Sequence, residues 1–140
     1  MSTPTSLPEW TQPAPLLVIA RFAVPEAEAA AFSAELREMA DLLAGLHGCT
    51  LVDVGRATDD PTLWVLSSSW ESVGDYRRAL SSYDIKVRGV PVLSRAVDEP
   101  SAFEVLYGRR GEAVVSASSA RAVDADTVGL GDVTAFNEPR

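Results

Sequence analysis

The sequence has 140 residues, 46% of them hydrophobic, enough for one domain but not two. Twenty acidic residues against twelve basic ones leave a formal charge of −8, which argues against nucleic acid or an anionic membrane as partner. Cys49 is the only cysteine, so an internal disulfide is excluded and a reducing compartment is expected.

The first predicted element is a strand over Leu16–Val24, so continuously apolar that burial on both faces is expected. Pro25 stops it, because proline cannot donate to a sheet ladder but suits the first turn of a helix. Glu26 and Glu28 follow, placed for the positive end of a helix dipole. Phe32, Leu36, Met39, Leu43 and Leu46 recur at steps of four and three, which lays one apolar stripe along a long helix. Gly45 and Gly48 bracket its end. Thr50–Arg56 alternates as a second strand, and Thr58-Asp59-Asp60-Pro61 has the composition of a turn. Leu63–Trp70 is a third strand with Trp64, Leu66, Ser68 and Trp70 on one side and Leu63, Val65, Ser67 and Ser69 on the other. A mostly helical stretch follows, with Val73, Tyr76 and Leu80 on one face; Gly89 and Pro91 are expected to break it before Val92–Val97. A fourth strand is expected over Ala102–Tyr107, after Pro100.

This order predicts an α+β domain, βαββαβ, with a four-stranded antiparallel sheet and its helices on one face. The other face is left bare, and a bare apolar sheet face calls for a cover. A core of about 90 residues buries only about 60–65% of its unfolded surface, so pairing two such faces is favourable. An isologous homodimer is the expected cover. The domain is placed at residues 15–108, after an extended proline-rich leader (1–14) that carries Trp10. A C-terminal extension, 109–140, is expected to be disordered in part or to supply an edge strand such as Ala113-Val114-Val115. No apolar run reaches membrane-span length and the start lacks the pattern of a secretory signal, so a soluble, cytoplasmic protein is expected. Abundant alanine, and Lys86 as sole lysine among arginines, point to a GC-rich bacterial coding bias.

Several residues invite a chemical reading. Arg21 is the one charge in the first strand; a carboxylate such as Asp53 or Glu104 on a neighbouring strand would satisfy it, as would an anionic ligand. His47 and Cys49 lie two apart after a helix, with no acidic partner evident at metal spacing, so no metal site is expected. There is no phosphate-cradling glycine loop and no dinucleotide fingerprint.

The segments Leu16-Leu17-Val18-Ile19-Ala20-Arg21-Phe22, Pro25-Glu26, Leu46-His47-Gly48-Cys49, Asp59-Asp60-Pro61 and Trp70-Glu71-Ser72, with the late Pro91-Val92-Leu93 and Phe103-Glu104-Val105-Leu106, come in a telling order. Together they resemble the antibiotic biosynthesis monooxygenase family of dimeric α+β barrels. The resemblance implies a ferredoxin-like sheet that closes a barrel with its twofold mate, and a pocket between sheet and helices in each subunit. Among the family are oxygenases that turn polyketide-type phenols into quinones without metal or flavin, quinol oxygenases and haem-degrading enzymes. It implies no cofactor here. Trp70 and Tyr76 match pocket positions of the quinone-forming members, and Arg88 lies near a pocket arginine. Trp64 on the same face as Trp70 would supply another wall, and Ser68 between them would leave space.

The chain also departs from the family. Quinone-forming members carry an asparagine where this chain has Leu66, and leucine cannot orient a phenol by hydrogen bonding. Haem degraders need an asparagine on the first strand and a histidine on the later helix. Asn137 is the only asparagine here and His47 the only histidine, so haem degradation is not expected. Two functions remain open. One is a cofactor-independent monooxygenase on a small aromatic or polyketide-like molecule, with Trp70 and Tyr76 catalytic and Trp64, Leu66, Ser68, Arg21 and Arg88 around the substrate. The other is a catalytically silent dimeric barrel that binds a hydrophobic small molecule or serves as an assembly partner. A cavity bordered by both aromatics and reached by an arginine would favour the first.

Overall fold

The computed structural model describes residues 14–117, so the leader with Trp10 and the extension beyond 117 lie outside the described residues. Two compact units are present, Pro15–Phe103 and a smaller one whose described residues are 14 and 104–117. The first contains strand β1 (Leu16–Ala23), a short 3-10 turn, helix α1 (Ala29–Ala44), strands β2 (Cys49–Arg56) and β3 (Leu63–Trp70), and helix α2 (Val73–Leu80). A wide π turn over Ile85–Gly89 and helix α3 (Val90–Leu93) lead to strand β4 (Ala102–Glu104). The four strands form one sheet in the order β2-β3-β1-β4. β1 and β2 each run antiparallel to β3. Val97 N–H donates to Arg21 O and Ile19 N–H to Ser101 O, so the approach to β4 also runs opposite to β1. This is the ferredoxin-like α+β arrangement.

Side-chain alternation divides the sheet. Leu16, Val18, Phe22, Trp64, Leu66, Ser68 and Trp70 are buried on the helix side. Phe32, Leu36, Met39 and Leu43 of α1 pack onto that side. Phe32 joins the sheet through ring contacts at 5.2 Å to Phe22 and 6.0 Å to Trp64. The opposite face carries Leu17 opposite Ser69, Ile19 opposite Ser67, Arg21 opposite Val65 and Ala23 opposite Leu63. Its residues are half-buried or exposed, so the expectation that β1 is buried on both faces is corrected for the single chain. A bulge at Thr50 skips one residue between the Cys49–Trp70 and Leu51–Ser69 pairs. It turns Leu51 onto the open face, where its side chain is 57% exposed.

The other differences from expectation lie after β3. Val73 is exposed, and α2 buries Asp75 and Ala79 instead. Ser72 caps α2 by accepting the Asp75 N–H at 3.2 Å. Gly89 and Pro91 do not break the helical stretch. Gly89 sits in the π turn, where a Cβ would stand 2.9 Å from the Met39 thioether, so glycine lets α1 approach. Pro91 lies in the first turn of α3, where no N–H is needed. β4 ends at Glu104, short of the expected Tyr107. Tyr107–Arg110 (β5) and Ala113–Ser116 (β6) instead form a separate antiparallel hairpin around Gly111, φ +62°. That hairpin spans both sides of the boundary expected at residue 108.

Candidate functional site

The sheet and its helices do not fill the space between them. A cavity of about 180 Å³ lies among β1 and β3, α1, α2, the end of α3 and the 96–101 segment. Its walls are mainly aliphatic, with Val18, Met39, Leu43, Leu66, Leu80 and Leu93 among them. Four polar side chains interrupt them: Ser68, Tyr76, Glu99 and Ser101.

Each of these has a local cause. Ser68 takes an inward position on β3 between Leu66 and Trp70, and its small side chain leaves room. Its Oγ accepts the Trp70 indole N–H at 2.9 Å, which satisfies a donor buried to 1% exposure. Tyr76 lies on the first turns of α2, with its ring 5.4 Å from that of Trp70 at an interplanar angle of 55°. Burial raises the Tyr76 phenol above its ordinary range, so near neutral pH it remains a hydroxyl able to donate. Tyr76 is thus a wall of the cavity and Trp70 the layer behind it.

The other candidate residues are placed apart. Leu66 lines the cavity. Trp64 shares the inner face but packs at the far end of β3 against Phe32, with the Arg56 guanidinium 4.8 Å from its ring centroid. Its indole N–H is buried and, among the described residues, has no hydrogen-bond partner, unlike that of Trp70. Arg88 is on the surface, paired with Glu38 at 2.5 Å, and is not among the cavity walls. Arg21 is on the open face, and its partner is neither of the carboxylates anticipated. It holds Glu99 through a two-pronged bond, Nε to Oε2 and Nη2 to Oε1, each 2.7 Å. Bonding from Arg21 lowers the Glu99 carboxyl below its usual range. The arginine therefore reaches the cavity only through Glu99, a wall residue that the sequence reading missed. The signal was there in part: a lone arginine in an apolar strand calls for an acid, and Glu99 stands just before the fourth strand.

A second cluster also corrects the sequence reading, which found no acidic partner for His47. Ligand-type atoms of His47, Glu71 and Asp75 lie within 4.8 Å of one another. Asp75 is already engaged: its Oδ1 accepts from Arg78 at 2.5 Å with His47 Nε2 3.7 Å away, and its Oδ2 accepts from Ser72. Arg78, then Ser72 and His47, hold this carboxyl below its usual range against the cost of burial. The guanidinium supplies the positive charge a cation would bring, so the cluster serves to anchor the start of α2.

The family model for antibiotic biosynthesis monooxygenases matches residues 15–87, just over half the chain. The chain belongs to the antibiotic biosynthesis monooxygenase family. Solved structures share its fold. One is a mutant of SnoaB, a cofactor-independent oxygenase from Streptomyces nogalater, with TM-score 0.60 and 19% identity over 71% of this chain and 99% of that one. A Nitrosomonas europaea protein that bears the family name provisionally has TM-score 0.55 and 20% identity, covering 72% of this chain and 95% of the other. A conserved protein from Methanosarcina mazei has TM-score 0.56 and 17% identity, covering 65% and 92%. No curated protein sequence matches the chain significantly. Among the described residues no helix of this family member is long and apolar enough to cross a membrane.

Proposed function

We propose that this chain is a cofactor-independent monooxygenase acting on a small aromatic or polyketide-like phenol, working as a homodimer in a bacterial cytoplasm. The observation that carries the reading is an apolar cavity with the half-buried Tyr76 on its wall and the Trp70 ring tilted against it from behind. An electron-rich phenol, once deprotonated, can pass an electron to oxygen itself. One oxygen atom then enters the ring and the other leaves as water, with the phenol as the source of electrons. The protein need only bind, exclude water and hold the substrate oxygen. Leu66 and its aliphatic neighbours exclude water, and the Tyr76 hydroxyl is the donor available to that oxygen.

Oxygen uptake against a panel of anthrones, hydroquinones and simple phenols tests this. The wild type is expected to consume oxygen with at least one class, and Tyr76→Phe to lower the rate about 10- to 100-fold with little change in stability. Absence of uptake across the panel would leave the second reading, a silent binding barrel. Leu66 supports that alternative, since it puts an alkyl group where the quinone-forming relatives have an amide.

The dimer rests on the open sheet face, where Leu17, Ile19, Leu51, Leu63 and Val65 are left partly or largely exposed. A second copy is the partner with a matching surface. Sedimentation at micromolar concentration is expected to show a dimer for the wild type and a folded monomer for Ile19→Glu, which would bury a charge at the joint. A wild-type monomer would refute the assembly.

A further inference from the structure

Resting on the small-aromatic reading above, we infer that Glu99 sets the specificity of the cavity: it admits neutral single-ring molecules with a hydroxyl or amino donor and excludes carboxylates. The same geometry excludes fused three-ring skeletons.

Size is the first argument. An apolar cavity of about 150 Å³ accepts benzene. One of about 180 Å³ has room for a single ring with one or two small substituents, and a three-ring molecule would have to displace Met39, Leu43 or Leu93 or leave part of its skeleton outside the mouth. These side chains belong to two helices packed on the sheet, so their displacement costs packing on both sides.

Charge is the second. Among the described residues, Glu99 is the only carboxylate on the wall, and no lysine, arginine or histidine lines it. The Arg21 guanidinium that pairs with Glu99 lies on the open face, 45% exposed, while Glu99 itself is a wall residue of the cavity. Each Glu99 oxygen takes one N–H from the Arg21 fork and retains a lone pair. A phenolic O–H or an aniline N–H can fill that capacity. A carboxylate would meet the acceptor end of the Arg21–Glu99 pair, with hydroxyls such as those of Ser68, Tyr76 and Ser101 in place of a cation to receive it. Arg21 is a positioning residue in this scheme: it acts through Glu99 and does not stabilise a bound anion directly.

Calorimetric titration of the full chain with 4-methylphenol, 4-methylbenzoate and anthrone tests the inference. Binding of 4-methylphenol is expected to be at least about tenfold tighter than that of 4-methylbenzoate, a modest fraction of what two like charges a few ångströms apart would cost. Glu99→Gln should narrow that gap to about two- to threefold, because the amide keeps the shape and loses the charge. The double variant Arg21→Gln/Glu99→Gln, which leaves no unpaired guanidinium, should show the same narrowing if the single variant folds poorly. Anthrone should bind weakest to the wild type. The inference is overturned if 4-methylbenzoate binds as well as 4-methylphenol, if both variants keep the wild-type preference, if anthrone binds best, or if 4-methylphenol does not bind. None of these readouts needs turnover. Selective binding without oxygen uptake would refute the monooxygenase while leaving the role of Glu99 intact, and uptake with an unselective cavity would do the reverse.

Discussion

Trp70→Ala is expected to lower the unfolding free energy by about 3–5 kcal/mol, read from the denaturant midpoint at unchanged slope. Trp70 is 1% exposed and is among the largest fully buried side chains of the molecule. Alanine there removes the indole from the inner face of β3, leaves Tyr76 without the ring 5.4 Å away, and takes the donor from Ser68 Oγ. The void would join the existing cavity, because Tyr76 and Ser68 already line it, so collapse of the walls would recover little. Trp70→Phe separates the contributions. It keeps an aromatic contact with Tyr76 but loses the buried hydrogen bond and part of the volume, with an expected cost of about 1–2 kcal/mol. If Trp70→Ala cost less than about 1 kcal/mol, Trp70 would not be the packed back wall of the cavity and the arrangement of the site would be wrong.

Trp70 also shows why some of this molecule is legible from sequence and some is not. The strand Leu63–Trp70 has large apolar groups at every second position, and its observed bounds are those read from the alternation. The stripe Phe32, Leu36, Met39, Leu43 is equally plain, because a helix against a sheet must bury one face. From Ser81 to Val97 no single period holds, and Gly89 and Pro91 look like breakers. In the fold they serve a π turn and a helical first turn, since Met39 needs the space at Gly89 and proline is tolerated at the start of α3. Of the cavity walls, the sequence pointed to Tyr76, Leu66 and Ser68 on β3 and α2. Glu99 and Arg21 are 78 residues apart, and only the register of the sheet and the course of the 97–101 segment decide which acid meets the arginine. Asp53 pairs with Ser67, whereas Arg21 pairs with Val65, so the anticipated partner is a strand away and out of step. The family resemblance supplied Tyr76 and Trp70, but it could not supply an acidic wall residue that comes from this chain's own path.

Gly48→Ala is expected to cost about 2–4 kcal/mol, the sum of a left-handed backbone penalty and overpacking. Gly48 has φ +89°, and a Cβ built there would stand 2.5 Å from Cβ and Cγ of Asp75 and 2.6 Å from its Oδ2. The neighbouring bond cannot yield easily, because Gly48 O accepts the Glu71 N–H at 2.8 Å and ties the turn after α1 to the end of β3. Asp75 cannot yield easily either, since Ser72 and Arg78 both hold its carboxylate. Gly45→Ala is the matched control. Gly45 has φ −84° and its nearest foreign atoms are 3.7 Å away, so alanine there should be neutral or stabilise by up to about 1 kcal/mol through the unfolded state. The contrast bears on function through one covalent link: Asp75 precedes Tyr76. A methyl group at position 48 that pushes Asp75 outward rotates the start of α2 and moves Tyr76 along the cavity wall. Gly48→Ala should therefore weaken small-phenol binding in the fraction that still folds, while Gly45→Ala leaves binding as it was. Equal stability of the two variants would show that the turn at Gly48 does not brace α2, and that Tyr76 is held by packing on Trp70 alone.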